Sequence, residues 1–196
     1  MSMKLCALAL AALLPAFAAS TGTAKGRAYG NPAAPILIEV YSDFECPACK
    51  AFHTQFLPLL VQNFISTGKV YLVDHDLSFH AHSNEATGYA LAAARIGKYD
   101  DVANALFSHQ TEWSASGKVW DTVAAVLSPA EQKKVAALAK DPSVIAEVKS
   151  ETDQGRAKIQ RTPTMLVIRG MKQYPFEGAP DWGIFSGFIN ELLGKK

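Results

Sequence analysis

The spacing of apolar and polar positions divides the first part of the chain into two strands and a helix. Two short runs rich in β-branched residues, 36–41 and 70–73, predict buried strands. Between them, bulky apolar residues recur at helical spacing and predict a helix. These residues are Phe52, Phe56, Leu59, Leu60 and Phe64. The segment therefore has the order β-α-β, which implies a parallel strand pair.

From residue 84 to about 159 the pattern is helical, with no strand between the helices. The predicted helices cover 84–98, 100–113, 120–127, 129–139 and 141–159. Ser128 and Glu131 match a capping box, and Pro129 fits the first helical position between them. The apolar stripes of these helices, with Trp113 and Trp120, are interpreted as a hydrophobic core.

Strands return near the end of the chain. The run 164–168 is strongly β-prone, Gly170 marks a turn, and 173–176 forms the partner strand of a hairpin. Pro175 places that partner strand at a sheet edge. An amphipathic helix over 181–193 completes the order β-α-β, helical block, β-β-α.

Residues 1–18 have the parts of a secretory signal peptide. Lys4 supplies a positive charge, 5–14 are apolar, and Ala16-Phe17-Ala18 is a cleavage pattern. The apolar run is short for a membrane span, and an uncleaved anchor is the alternative. Residues 19–32 are small and polar and are predicted to be a flexible lead-in.

Cleavage would leave a neutral chain with two cysteines. Removal of 1–18 takes away Lys4 and leaves 18 basic and 18 acidic residues. This balance argues against nucleic acid or an anionic membrane as a partner. Cys6 lies in the apolar run, so Cys46 and Cys49 remain. Two cysteines in an oxidising compartment fit one reversible disulfide.

The motif Cys46-Pro47-Ala48-Cys49 stands where the first strand gives way to the helix. Pro47 suits the first turn, so Cys46 is predicted to be the N-cap residue. Unpaired N–H groups and the helix dipole favour a negative charge at that position. The Cys46 thiol should therefore ionise readily, and the thiolate is the reactive form.

Other readings of the motif fit less well. A structural zinc site needs four ligands, and His80 and His82 have the wrong spacing for a second pair. Haem attachment would need a histidine where Lys50 stands. A purely structural disulfide would close too short a loop to stabilise much. We expect no metal, and we expect the loop histidines of 74–82 to be solvated or locally bonded, although one could tune the cysteines.

The order of elements resembles the α/β thioredoxin fold with an inserted all-α domain, as in the DsbA-like family of thiol–disulfide oxidoreductases. The resemblance is carried by the Cys46–Cys49 motif and by Arg161-Thr162-Pro163-Thr164 before the next-to-last predicted strand. It implies a thioredoxin domain made of 33–78 and 145–196, and a helical insertion over 79–144.

The family resemblance also implies roles for individual residues. Cys46 and Cys49 would be the catalytic pair, and their disulfide the only redox group, with no separate cofactor. Pro163 would be cis and lie beside the sulfurs, and Thr162 would offer its backbone to an extended substrate.

Two departures from the family pattern bear on the acidity of the thiol. Ala48 stands where DsbA has histidine, and Val40 stands where many relatives have a buried acid. Glu39 is one position away and would face the other side of the strand. Glu45 would raise the pKa of Cys46 if it is close. We therefore treat Glu39 and Glu45 as candidates for tuning the pKa and expect a moderate oxidant.

By the same resemblance, the chain would form disulfides in secreted proteins of the periplasm. Its partners would be reduced polypeptides and a membrane reoxidant of the DsbB or VKOR type, and we expect a monomer. A disulfide isomerase or reductase kept reduced by a membrane partner, an oxidant dedicated to one client, and a non-catalytic peptide-binding holdase are the alternatives.

Overall fold

A computed structural model describes residues 27–194, which contain a mixed β-sheet in the order β1-β3-β2-β4-β5. The strands are β1 Ala28–Tyr29, β2 Ile36–Ser42, β3 Val70–Asp76, β4 Thr164–Arg169 and β5 Lys172–Glu177. Strands β2 and β3 are parallel, and the other neighbours are antiparallel. The four predicted strands are confirmed, although β3 continues three residues beyond the predicted end. Strand β5 is at the edge, as Pro175 indicated.

The helix after β2 continues through Pro58 with two wider turns. It consists of α1 Pro47–Ala51, a π-helical turn Phe52–Phe56, α2 Leu57–Leu60 and a second π-helical turn Val61–Ile65. The Leu57 N–H bonds the Phe52 carbonyl, one residue further back than in an α-helix. With the last helix, α9 Trp182–Gly194, it covers one face of the sheet, where Phe56 and Phe185 meet edge to face at 5.1 Å.

The other helices lie between β3 and β4, where the insertion was predicted. They are α3 Ser83–Ala94, α4 Tyr99–Ser108, α5 Gln110–Ser116, α6 Val119–Ala124, α7 Pro129–Leu138 and α8 Pro142–Lys158. The single helix predicted over 100–113 is wrong: the backbone leaves helical geometry at His109 (φ −101°, ψ 20°), which separates α4 from α5. The capping box of Ser128 and Glu131 is confirmed.

Helix α8 crosses the position at which we predicted the insertion to end, between 144 and 145. Its C-terminal half packs closely on the chain after β3. A Cβ atom on Gly155 would lie 2.5 Å from Leu77 Cδ2, so a larger residue at this position would displace the Leu77 side chain.

The lead-in predicted for 19–32 is not flexible throughout. Ala28 and Tyr29 pair with Leu72 and Val73 of β3 and extend the sheet by one short strand. Two residues are too short a run for a hydrophobic pattern to signal a strand. The signal peptide predicted over 1–18, and residues 19–26, lie outside the described residues. Between 27 and 194, no helix combines the length and the hydropathy needed to cross a bilayer.

A buried cation fixes the start of this segment to the helical block. Arg27 is only 1% exposed, and its guanidinium bonds Glu151 at 2.6 Å and Glu147 at 3.1 Å. Its Nη1 also lies 3.6 Å from Asp76 Oδ2, and the Tyr99 hydroxyl donates to both Asp76 oxygens at 2.9 Å. Burial raises the pKa of Asp76 to about 6, although Arg27 opposes this. The cluster therefore ties β1 and β3 to α4 and α8.

We predict that Arg27→Met lowers the free energy of unfolding by about 3–5 kcal/mol, because it leaves buried carboxylates without their cation. Lys149→Met is the matched control. It removes an exposed ion pair with Asp153 and should cost at most about 0.5 kcal/mol. Urea denaturation measures both. An Arg27→Met protein as stable as Lys149→Met would contradict the structural role of the cluster.

Candidate active site

Cys46 caps the N-terminus of α1, as the sequence predicted. Its backbone is extended (φ −76°, ψ 121°), and Pro47 occupies the first helical turn. The Cys46 carbonyl accepts the N–H of Lys50 at 3.1 Å, and its own N–H bonds the Asp43 carbonyl at 3.1 Å. A tight turn over 43–46 therefore connects β2 to α1 and places Cys46 at the positive end of the helix dipole.

The two sulfurs differ in their access to solvent. Cys46 is 8% exposed, whereas Cys49 is fully buried, and both are thiols in this structure. The Asp43 N–H points at the Cys49 sulfur at 3.4 Å. Only Cys46 of the pair reaches the surface, so it is the sulfur that another molecule can attack.

The backbone of Thr162 lies directly beside Cys46. Its carbonyl oxygen is 3.5 Å from the Cys46 sulfur, and the Thr162–Pro163 peptide bond is cis. The sequence separation between the two residues is large, so β4 and α1 must both be in place to create this contact. The predicted cis isomer of Pro163 is confirmed, and the residue before it lies beside the Cys46 sulfur.

The two thiols have opposite pKa shifts. A hydrogen bond from the Cys49 thiol is the main cause that lowers the pKa of Cys46 to about 5, against the effect of burial. The Thr162 side chain and the N–H groups of Cys49 and Ala48 act in the same direction. Burial, and then the negative charge of Cys46, raise the pKa of Cys49. At neutral pH, Cys46 is therefore a thiolate and Cys49 a thiol.

A buried carboxylate that the sequence analysis did not single out organises the turn before the cysteines. Asp43 is fully buried and accepts four hydrogen bonds. They come from the N–H groups of Glu45 (2.8 Å) and Phe79 (2.7 Å), the Ser83 hydroxyl (2.5 Å) and the His80 ring (3.0 Å). Its position two residues after the predicted strand 36–41 and three residues before Cys46 is the signal that could have identified it.

The buried side chain of Gln110, in α5, also holds the turn over 43–46 in place. Its amide nitrogen donates to the carbonyl of Phe44 at 2.7 Å and to that of Cys46 at 2.9 Å. No local pattern in the sequence indicates this contact, because it joins α5 to residues more than sixty positions earlier.

Glu45 points toward the helical insertion. One of its oxygens accepts the His82 N–H at 2.6 Å, and the other accepts the Ser114 hydroxyl at 3.1 Å. Its carboxylate therefore connects the turn before Cys46 to the start of α3 and to the middle of α5. Tuning of the Cys46 pKa by Glu45 stays a prediction.

Glu39 belongs to a different network. It accepts a hydrogen bond from Tyr41 at 2.9 Å and lies 3.5 Å from Lys158 and 3.8 Å from His75. The neighbouring His75 ring is the largest influence that lowers the pKa of Glu39 to about 2, with help from the Tyr41 hydroxyl and Lys158, although burial opposes it. A carboxylate this acidic does not take a proton from a thiol at neutral pH.

Of the histidines after β3, His80 bonds Asp43 and is part of the site, whereas His82 takes part through its backbone. Within 27–194, no group of three or more histidine, cysteine or acidic side chains could hold a metal ion. The site consists of the Cys46 and Cys49 thiols, the buried Asp43 carboxylate, the Gln110 amide and the half-exposed His80 imidazole.

Known proteins resemble this chain in sequence and in fold. A family model described as Thioredoxin matches residues 22–191. Disulfide bond formation protein D of Bacillus subtilis is 26% identical over 148 residues, which are 70% of this chain and 65% of that protein. The chain thus spans slightly less than two thirds of that relative.

The solved structures agree with the architecture. Wolbachia pipientis alpha-DsbA1 superposes with a TM-score of 0.71 at 18% identity, covering 86% of this chain and 90% of that one. Oxidised BdbD from Bacillus subtilis gives a TM-score of 0.69 at 21% identity, with coverages of 86% and 93%. At these identities the likeness concerns the fold, which is the thioredoxin fold with a helical insertion.

We predict that Cys46 titrates with a midpoint near pH 5, because its thiolate accepts the Cys49 hydrogen bond at the helix N-terminus. Ultraviolet thiolate absorbance of the reduced protein and the rate of alkylation by iodoacetamide both report this midpoint. A midpoint near that of a free thiol, about 8.5, would contradict the assignment.

The same shift makes the stability of the reduced protein depend on pH. The folded-state pKa of Cys46 is lowered, so this stability is fully present above the unfolded-state pKa of about 8.5 and is lost as the pH falls through about 5. The oxidised protein lacks this titration. The difference in unfolding free energy between the reduced and the oxidised protein should therefore change between about pH 8.5 and about pH 5.

We also predict that Gln110→Leu lowers the unfolding free energy by about 2 kcal/mol, because two buried carbonyls lose their donor. Gln154→Leu is the matched control, since Gln154 is exposed and bonds only the Ser150 hydroxyl in the structure; it should cost about 0.5 kcal/mol or less. Equal urea midpoints for the two variants would show that the two Gln110 hydrogen bonds do not contribute to the stability of the fold.

Proposed function

This chain belongs to the thioredoxin family, and we propose that it is a protein thiol:disulfide oxidoreductase of the DsbA-like form, which has a helical insertion. In this proposal the chain donates its Cys46–Cys49 disulfide to reduced polypeptides. The observation that carries the proposal is the asymmetry of the two thiols. Cys46 is accessible and ionised at the head of α1, and Cys49 is buried and protonated.

The reaction consists of two thiol–disulfide exchanges. A substrate thiolate attacks the Cys46 sulfur of the oxidised protein, and the Cys49 sulfur leaves with the bonding electron pair and takes up a proton. The second substrate thiolate then attacks the substrate sulfur of the mixed disulfide, and Cys46 leaves as a thiolate. Two electrons pass from substrate to protein, one substrate proton stays on Cys49 and the other goes to solvent.

The free energy for this transfer comes from the leaving Cys46 thiolate. A disulfide is a stronger oxidant when its reduced form is stabilised, and the hydrogen bonds to Cys46 stabilise that form. Because the Cys49 pKa is raised, the second sulfur is kept as a thiol instead of re-attacking the mixed disulfide as a ready thiolate. Both effects favour the release of an oxidised substrate.

The substrate would lie along the segment that precedes β4. Thr162 presents its carbonyl 3.5 Å from the Cys46 sulfur, next to Pro163. A polypeptide that bonds this backbone would place its own thiol in line with Cys46. Pro47 and Ala48 are exposed beside the same sulfur and leave room for such a chain.

Disulfide donation requires an oxidising compartment and a route for the two electrons. The predicted signal peptide of 1–18 and the name of the Bacillus subtilis relative, a disulfide bond formation protein, both support action on secreted proteins outside the cytoplasm. A membrane-bound reoxidant of the DsbB or VKOR type would accept the electrons from reduced Cys46 and Cys49.

We predict that Cys46→Ser abolishes oxidative refolding of a reduced, disulfide-containing client, because no sulfur remains for the client thiolate to attack. Cys49→Ser, first converted at Cys46 to the glutathione mixed disulfide, should instead accumulate a mixed disulfide with a client that has a single thiol, since neither Cys49 nor a second client thiol can displace it. Non-reducing electrophoresis and thiol titration of the client measure the two outcomes.

The Cys46→Ser/Cys49→Ser double variant separates oxidation from simple peptide binding. A holdase would suppress client aggregation equally in wild type and double variant, with no change in client thiols. That outcome would refute the proposed oxidoreductase activity. Faster rearrangement of a scrambled client by the reduced protein, without net oxidation of a reduced client by the oxidised protein, would assign an isomerase instead.

A further inference from the structure

We propose that His80 is a positioning residue of the exchange reaction, whose imidazolium, held by Asp43, supplies the positive charge that stabilises the Cys46 thiolate. The inference rests on the proposed function and adds a residue to its machinery. The motif itself offers no such charge, because Ala48 between the cysteines has no polar group.

The imidazole is fixed by one strong contact. His80 Nδ1 lies 3.0 Å from Asp43 Oδ2, and the carboxylate is fully buried while the His80 side chain is 43% exposed. A buried carboxylate fixes the orientation of a histidine ring and stabilises its protonated form. The contact therefore anchors a cation at the rim of the site while the rest of the ring stays accessible.

Asp43 links that cation to both sulfurs. Its backbone carbonyl accepts the N–H of Cys46 at 3.1 Å, and its backbone N–H donates to the Cys49 sulfur at 3.4 Å. The side chain that holds His80 and the backbone that holds the cysteines thus belong to one residue in a tight turn. His80 is therefore connected to the sulfurs through this turn, and the charge of Cys46 is one of those that act on His80.

The charges around His80 are Asp43, Glu45 and Cys46, all negative when ionised. Partial burial lowers the pKa of His80, but the hydrogen bond and the charge of Asp43 outweigh it, and Cys46 and Glu45 add to the increase. The net shift is upward, so His80 is protonated in the pH range in which Cys46 titrates. Interaction between two titrating groups is mutual, and the cation must lower the pKa of Cys46 in return.

The geometry also argues against a purely structural role. Asp43 keeps three donors without His80: the N–H groups of Glu45 and Phe79 and the Ser83 hydroxyl. Loss of the half-exposed ring therefore leaves no buried carboxylate unpaired. The fold should tolerate substitution at position 80, which allows the charge to be tested alone.

The test compares three variants of the reduced protein: His80→Gln, His80→Lys and His109→Gln. His109→Gln is the matched control, since its side chain is 63% exposed and pairs only with Glu112 in the structure. Thiolate absorbance against pH gives the pKa of Cys46, and the pH profile of iodoacetamide alkylation gives its reactivity. Urea denaturation of each variant checks the fold.

We expect His80→Gln to raise the pKa of Cys46 by about half a unit to one unit, which is a roughly three- to tenfold decrease in the acid dissociation constant of the thiol. His80→Lys should restore most of the shift because it keeps a positive charge, and His109→Gln should leave the pKa unchanged. In the wild type, the alkylation rate should show a second inflection where His80 loses its proton.

Three results would overturn the assignment. They are an unchanged Cys46 pKa in His80→Gln, an equal increase in His80→Gln and His80→Lys, and an equal increase in His109→Gln. All are measured on the free protein without a client. A shift confined to His80→Gln together with absent client oxidation would therefore refute the proposed function while leaving the electrostatic role of His80 supported.

Discussion

The structure depends on the stabilisation of one negative charge, on the Cys46 sulfur at the N-terminus of α1. The Cys49 thiol, the N–H groups of the first helical turn and the Thr162 side chain all favour that charge. Burial opposes it, so the charge exists only while these groups keep their positions. Each main element contributes: β2 ends at the turn, Pro47 starts the helix, and the chain before β4 brings Thr162 to the sulfur.

The helical insertion is part of the site as well as a cover for it. Cys46 and Cys49 pack in the same hydrophobic cluster as α3, α4 and α5, where Phe44 meets Phe107 at 4.9 Å. The insertion and the loop before it also supply Gln110, which clamps the turn, and His80, which pairs with Asp43. Buried polar contacts of this kind are costly when broken, so they keep the turn in one conformation.

The sequence predicted most of the fold and the reactive pair because these depend on local signals. The apolar runs located β2 to β5, and Pro47 after Cys46 indicated a helix start. The residues that support the pair were harder to find, since Gln110 and Arg27 act over long separations. The break at His109 and the two-residue β1 lie below the length at which periodicity carries information.

The most direct test is the equilibrium of the Cys46–Cys49 disulfide with glutathione. Stabilisation of the Cys46 thiolate predicts an oxidising pair, with a reduction potential less negative than about −230 mV, that is, within the glutaredoxin range or above it. A potential near about −270 mV, as in thioredoxin, would mean that the reduced form gains little from the site and would contradict the account.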